Sequence, residues 1–191
     1  LKRLRENAPA IPIYVEKILD PYEPLPKKWP VQGTTGYEFL NFVNYLFVRA
    51  ENSDRFTKLY NEFVGSEIDF EKTVYDSRKT AVYQQLNADF ENLARNLQNM
   101  LTKSRYGQDI TFSAIKDSLV EIAACFEAYR CYLTLDNRDC AQCGSLIKKA
   151  VKAAKQKRPD LHYVLDLIEE LLRLDLSKKP SRIKSGKLEA V

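Results

Sequence analysis

The sequence has few of the residues from which metal and redox sites are built. Its 191 residues include one histidine, His162, and four cysteines. Cys140 and Cys143 form a CxxC pair, but a zinc site needs two further ligands and a redox site needs a βαβ context that the sequence does not predict. Plain thiols of a reducing compartment are therefore expected, with no metal and no cofactor. His162 is expected to be structural or exposed.

Long uncharged apolar runs are also missing, so the sequence predicts neither a membrane span nor a secretory signal peptide. The net charge is +4, from 30 Lys and Arg against 26 Asp and Glu, which is too small to indicate nucleic-acid binding. The basic run 148–158 has few interleaved aromatic residues and is interpreted as a solvated helix face. A cytoplasmic protein without a nucleic-acid or membrane partner is expected.

The first 48 residues predict one strand, a long loop and one helix. Residues 1–7 are typical of the end of a helix, and without an initiator methionine an internal fragment is expected. The apolar run 11–15 is typical of a strand buried in a parallel sheet, whose other strands are expected to lie outside the chain. Thr34 or Thr35 is expected to cap a helix over 37–47.

The rest of the sequence predicts helices, because stripes of apolar residues with helical spacing cover 55–64, 70–101, 112–133, 140–156 and a last segment near Pro159. The predicted fold class is mainly α: a helical bundle subdomain with one βα unit cut from a (β/α)8 barrel. The expected domains are a partial catalytic-barrel unit with an active-site loop (1–48), a helical insertion (49–176) and a loose basic tail (177–191).

Glu16 is the first residue after the predicted strand. Catalytic groups of (β/α) barrels lie at the carboxyl ends of the strands, which makes Glu16 a candidate catalytic residue. On periodicity alone, a solvated glutamate paired with Lys17 is the better interpretation. The choice between the two therefore depends on the motifs around Glu16.

Short motifs surround Glu16 in a fixed order: VEKIL at 15–19, LP at 25–26, WPV at 29–31, GTTGY at 33–37 and FLN at 39–41. Their order and spacing closely resemble the maltooligosyl trehalose synthase family, within the α-amylase superfamily. The segments NADFENLARNL at 87–97 and IAACFEAYRCY at 122–132 extend the resemblance. It covers about 14–133 and thins out beyond.

The resemblance implies an isomerase that acts on a maltooligosaccharide or α-1,4-glucan. By intramolecular transglucosylation, the reducing-end α-1,4 linkage becomes an α,α-1,1 linkage, as in trehalose, with retention of configuration. Glu16 would be the acid/base, and Lys17 is expected to point away from it. The family's nucleophilic aspartate and third carboxylate would lie before Leu1 and after Val191. The chain alone is therefore expected to be inactive without the remaining segments of the parent barrel.

Candidate sugar-binding residues follow the same resemblance. Glycine permits close backbone approach, threonine hydroxyls bond sugar hydroxyls, and aromatic rings stack on pyranose faces. The candidates are Trp29, Gly33, Thr34, Thr35, Tyr37 and Arg130. Two alternatives stay open: that GTTG is only a loop closing onto a helix, and that Arg130 is a buried arginine pairing helices. The helical part is expected to exclude water from the site. A non-catalytic helical binding module is the alternative function.

Overall fold

A computed structural model describes residues 1–20, 23–102, 109–133 and 141–173, and these residues are mainly helical, as predicted. The helices are α1 (Lys2–Asn7), α2 (Glu38–Tyr45), α3 (Ser53–Val64), α4 (Phe70–Gln85), α5 (Asn87–Leu101), α6 (Phe112–Cys125), α7 (Ala141–Lys157) and α8 (His162–Leu172). Short 3-10 turns, Ala50–Asn52 and Pro159–Leu161, precede α3 and α8. None of the described helices is both long and apolar enough to span a bilayer.

The chain is divided into two compact units. The first contains Leu1–Ile68 with Ala128–Arg130, and the second contains Asp69–Glu127 with the described residues from Cys131 onward. The domain boundary expected at 48/49, between a partial barrel unit and a helical insertion, stays a prediction. The tail from 177 lies outside the described residues.

The first unit contains a pair of short parallel strands, β1 (Tyr14–Val15) and β2 (Gly33–Thr34). The backbone pairing continues on both sides, because Gln32 N–H donates to the Ile13 carbonyl and Thr35 N–H donates to the Val15 carbonyl, each at 2.9 Å. The expectation that all partners of the first strand lie outside the chain is therefore wrong. The long loop returns beside β1, and its Gly-Thr sequence carries no strand pattern that predicts this.

The helices of the first unit differ from the prediction at their ends. α2 spans Glu38–Tyr45, and its N-cap is Tyr37, without a side-chain hydrogen bond, so the cap predicted at Thr34 or Thr35 is wrong. α3 ends at Val64 and is capped by Gly65, whose φ of +77° is the left-handed conformation that glycine adopts readily. No hydrophobic side chain of the described residues 1–68 is buried, and large apolar side chains of α2, α3 and the turn after α2 are exposed, among them Phe39, Phe42, Leu46, Phe47, Phe56 and Phe63.

The second unit has a hydrophobic core of its own, built around α6. This helix packs against α4, α5, α7 and α8. The core contains Leu97, Leu101, Ile115, Leu119, Ile122, Val151, Leu165 and Ile168. Four residues of the apolar face predicted for the last helix are buried, namely Leu161, Val164, Leu165 and Ile168, whereas Leu172 is exposed.

Two helices predicted as continuous are shorter in the structure. The stripe over 70–101 is broken at Leu86, which ends α4 with φ −114° and ψ 13°. The apolar residues keep their helical spacing on both sides of Leu86, so the sequence pattern gives no sign that the helix is interrupted there. The helix predicted over 112–133 ends at Cys125, because the backbone of Phe126 is extended. The residues Ala128–Arg130 after it belong to the first unit.

Candidate active site

The carboxyl ends of β1 and β2 form one edge of the small sheet. Val15 lies opposite Thr34, so the next residues, Glu16 and Thr35, leave the strands side by side. The Glu16 side chain is exposed. Ligands of parallel α/β sheets bind outside the carboxyl ends of the strands. The structure therefore brings Glu16 and the segment that begins at Thr35 to the edge where chemistry is expected.

Lys17 points away from the exposed side of Glu16. Its side chain is only 1% exposed, and its ammonium group donates to the Glu23 carboxylate at 2.7 Å and to the Ile18 carbonyl at 3.2 Å. A buried charge needs such a partner, because burial without one is costly. The expectation that Lys17 points elsewhere is confirmed.

The GTTG segment is a tight loop that closes onto α2. The Thr34 hydroxyl accepts a hydrogen bond from Gly36 N–H at 3.0 Å and donates one to the Glu38 carboxylate at 2.6 Å. A side chain at Gly36 would meet the Glu38 carboxylate and would lie 3.0 Å from the Lys17 carbonyl oxygen. For Thr34 and Gly36, the alternative that GTTG is a loop closing onto a helix therefore fits the structure. The Thr34 hydroxyl forms its hydrogen bonds within this loop.

The other candidate sugar contacts differ in exposure. Thr35 is exposed, and the Tyr37 ring is 58% exposed at the start of α2. Trp29 is half-buried in a turn, where its backbone N–H donates to the Pro26 carbonyl at 3.0 Å. Gly33 is half-buried within β2. Of these residues, Thr35 and Tyr37 are both exposed and follow β2 at the edge where Glu16 follows β1.

Arg130 is neither helical nor buried. It lies beyond the end of α6 and is exposed, so the interpretation of Arg130 as a buried arginine that pairs helices is wrong. The residues Ala128–Arg130 belong to the same compact unit as Glu16. This grouping keeps Arg130 as a candidate contact for a ligand of that unit.

Arg5 and Gln32 are structural residues of this unit that the sequence analysis missed. The Arg5 guanidinium donates to the Pro30 carbonyl at 2.9 Å and to the Gln32 side-chain oxygen at 2.9 Å. The available signal was weak: Pro9 and Pro12 remove backbone donors from the segment between α1 and β1, which leaves carbonyl groups there for a side chain to satisfy.

The remaining sequence features do not form a site in the described residues. No group of three or more His, Cys, Asp or Glu side chains is placed to hold a metal ion in this part of the chain. His162 is exposed, Cys143 is buried, and Cys140 lies outside the described residues.

The basic run 148–158 forms ion pairs, for example Lys149 with Glu127 at 2.5 Å. Cavities of about 640 Å³ beside α3 and about 440 Å³ against α4 contain none of the predicted site residues.

Two solved structures are similar to this chain over most of its length. One is a mutant of maltooligosyltrehalose synthase from Arthrobacter ramosus, which is 29% identical, with a TM-score of 0.70 over 93% of this chain and 22% of that chain. The other is a glycosyltrehalose synthase, which is 31% identical, with a TM-score of 0.58 over 90% of this chain and 21% of that chain. The chain is thus a relative of the maltooligosyl trehalose synthases.

The likeness to the trehalose synthases covers one part of those enzymes. The chain spans about a fifth of the length of either solved relative. No protein-family model matches the chain, and neither does any curated protein. The resemblance read from VEKIL and GTTGY is therefore confirmed by structure, and both motifs lie at the carboxyl edge of the β1–β2 pair.

Proposed function

We propose that this chain is part of a maltooligosyl trehalose synthase and contributes the acid/base, Glu16, to its active site. The reaction is an intramolecular transglucosylation that converts the reducing-end α-1,4 linkage of a maltooligosaccharide into an α,α-1,1 linkage. The observation that carries the proposal is the exposed Glu16 at the carboxyl end of β1, beside the GTTGY loop at the end of β2. The cytoplasmic location inferred from the sequence stays a prediction.

Glu16 acts twice in the proposed mechanism. As an acid it protonates the glycosidic oxygen, which releases the terminal glucose while a nucleophilic carboxylate takes the rest of the glucan. As a base it then removes a proton from the anomeric hydroxyl of the released glucose, which attacks the glycosyl-enzyme. Two successive displacements at one carbon retain its configuration, and they require two carboxyl groups about 5–5.5 Å apart.

Two carboxylates of the first unit, Glu23 and Glu38, are already engaged in structural contacts. Glu23 accepts from Lys17 at 2.7 Å, and Glu38 accepts from Thr34 at 2.6 Å. Neither is therefore a good nucleophile, and we assign that role to a carboxylate from another segment of the parent enzyme. The 191-residue chain alone is accordingly expected to show no turnover.

Exposed groups of the first unit support a partnership with further barrel segments. Within the described residues the sheet has only β1 and β2, so each strand has one edge without a neighbour. Unpaired backbone groups are unfavourable when buried and prone to association when exposed. The apolar side chains of α2 and α3 are exposed as well. Further strands and helices of the parent barrel would satisfy both features.

The proposed sugar contacts are Thr35, Tyr37, Trp29 and Arg130. Thr35 and Tyr37 follow β2 at the same edge as Glu16, and both are exposed. An aromatic ring there offers a flat apolar face for a pyranose, and the Thr35 hydroxyl offers a donor and an acceptor. Arg130 supplies donors to sugar oxygens from the same compact unit.

The test is an assay of the full-length protein with maltopentaose, comparing wild type with Glu16→Gln. The amide cannot give or take the proton, so the rate of formation of the non-reducing product should fall by about 10²–10⁴-fold. Glu6→Gln is the matched control, because it removes the same charge from an exposed glutamate of α1. Near-normal turnover of Glu16→Gln in a folded protein would contradict the assignment and favour a non-catalytic helical module.

A further inference from the structure

The Arg5 side chain ties together three segments at the amino ends of β1 and β2. It donates to the carbonyls of Ala8, Pro9 and Ile11 at 3.4, 3.1 and 2.8 Å, which lie between α1 and β1. It also donates to the Pro30 carbonyl through Nε at 3.2 Å and Nη2 at 2.9 Å, just before β2. One guanidinium therefore holds both strands where they begin.

Gln32 completes this arrangement from the other strand. Its side-chain oxygen accepts from Arg5 Nη2 at 2.9 Å and from the Ile13 backbone N–H at 2.7 Å. Its own backbone N–H donates to the Ile13 carbonyl at 2.9 Å. Gln32 thus binds β1 with both backbone and side chain, and the Arg5 guanidinium fixes the orientation of its amide.

Such a connection matters because the strands are only two residues long. A short pair has few ladder hydrogen bonds to define its register. A slip of one residue would move Thr35 and Tyr37 by about 3.3 Å relative to Glu16 and would turn their side chains to the opposite face. The register at the amino ends therefore decides which groups stand beside Glu16 at the carboxyl ends.

We propose that Arg5 and Gln32 form a positioning clamp that sets the register of β1 and β2 and thereby places the Thr35–Tyr37 loop against Glu16. The proposal rests on the proposed function, in which Thr35 and Tyr37 contact the sugar, and it assigns the released glucose to this loop. A misplaced loop would leave the glucose out of line, and water would attack the glycosyl-enzyme instead. The clamp then controls the partition between isomerisation and hydrolysis without touching the substrate.

The experiment compares Gln32→Leu with Gln32→Glu in the full-length enzyme. Leucine removes the acceptor for Arg5 and Ile13 N–H, whereas glutamate keeps it, so the second variant serves as the rescue. The measured quantity is the ratio of free glucose to non-reducing product from maltopentaose. It should rise by roughly 10-fold or more in Gln32→Leu, since a displacement of about 1 Å can change a rate by ~10²-fold. In Gln32→Glu it should stay near the wild-type value. This ratio does not depend on the amount of folded enzyme.

A second readout is independent of activity. Hydrogen exchange of the Thr35 amide, which donates to the Val15 carbonyl, should accelerate in Gln32→Leu but not in Gln32→Glu. An unchanged product ratio together with unchanged exchange would overturn the clamp. If Glu16→Gln lost the non-reducing product while Gln32→Leu changed neither the product ratio nor the exchange, the clamp would be overturned and the proposed function would stand. A wild-type protein that forms no trehalose linkage would overturn the proposed function, and the exchange result would still decide whether the clamp sets the register.

Discussion

Glu16 and Lys17 show how two adjacent charged residues acquire different roles. The Lys17 ammonium is buried and paired with Glu23, whereas the Glu16 side chain is exposed at the end of β1. The backbone turns at Glu16, because the Lys17 N–H donates back to the Val15 carbonyl at 3.0 Å. The pairing with Glu23 therefore holds the Lys17 cation in the interior, which keeps a direct Lys17–Glu16 ion pair out of the proposed site.

The sequence was sufficient to place Glu16 at the carboxyl end of a strand, where the barrel rule expects catalytic groups, and the motif resemblance proposed Thr35 and Tyr37 as sugar contacts. It was not sufficient to separate these residues from Thr34. Whether a threonine hydroxyl faces a ligand or its own loop depends on Gly36 and Glu38, which bond Thr34 only once the loop has folded. Arg130 was misplaced for a similar reason, since no proline or glycine marks the end of α6.

Gly36 and Gly33 lie in one motif, but they should respond differently to substitution. A methyl group at Gly36 would meet the Glu38 carboxylate and the Lys17 carbonyl, whereas one at Gly33 would contact only the Tyr14 ring at 3.5 Å. We expect Gly36→Ala to displace the loop and reduce isomerisation in the full-length protein by at least about 10-fold. Gly33→Ala should stay within about 2-fold of wild type. Equal effects of the two substitutions would contradict the packing described for the loop.

The helices of the second unit were largely predictable, because each buries an apolar stripe with helical spacing. The break at Leu86 was not predictable, since Val82, Leu86 and Phe90 keep the phase of a single helix. The polar contacts between helices were also invisible in the sequence. Glu121 of α6 is 1% exposed, and its carboxylate accepts from the Tyr75 hydroxyl at 2.5 Å and from the Lys79 ammonium, both on α4.

This buried cluster should make the second unit sensitive to alkali. Burial, aided by the hydrogen bond to Glu121, raises the pKa of Tyr75 above 10.0. Burial lowers the pKa of Lys79, but its hydrogen bonds to Glu121 and Tyr75 outweigh this and raise it above 10.5. The folded state therefore holds both protons more tightly than the unfolded chain. Their contribution to stability is fully present below about pH 10 and is lost as the pH rises through the raised values.

The expected result is a free energy of unfolding that falls above about pH 10, with a shallower fall in Tyr75→Phe, which has no phenol to ionise. At pH 8 the same variant should be less stable by about 1 kcal/mol, because the hydrogen bond to Glu121 is lost. Urea unfolding followed by circular dichroism at several pH values measures both. Tyr83→Phe, on the exposed side of α4, is the control. Parallel curves for wild type and Tyr75→Phe would contradict the role assigned to the cluster.

The two units of the chain differ in how much apolar surface they bury. The second has a continuous core, from Ala94 of α5 to Ile168 of α8. The described residues 1–68 bury no hydrophobic side chain and expose Phe47 and Phe63 at 87% and 89%. Hydrophobic burial is the main stabilising contribution to a fold. The first unit is therefore expected to depend on apolar partners that other segments of a longer protein supply.

Hydrogen exchange of the 191-residue chain should show this difference. Amides of α2 and α3 should exchange at least ~10²-fold faster than those of α6, because local opening needs little free energy where few apolar contacts are broken. In the full-length protein, α2 and α3 should gain protection while α6 changes little. Strong protection of α2 and α3 in the isolated chain would contradict the dependence on further barrel segments.

The most direct test of Glu16 as the acid/base uses a substrate whose leaving group needs no proton. Glu16→Ala in the full-length protein is supplied with α-maltotriosyl fluoride, and the fluoride released in the first turnover, before the glycosyl-enzyme breaks down, is compared with turnover of maltopentaose. Since fluoride departs without protonation, the rate of this first release should persist, whereas maltopentaose turnover, which needs Glu16 both as acid and as base, should fall by about 10²–10⁴-fold. If both rates fell equally in a folded protein, or if neither fell, Glu16 would not be the acid/base of the reaction.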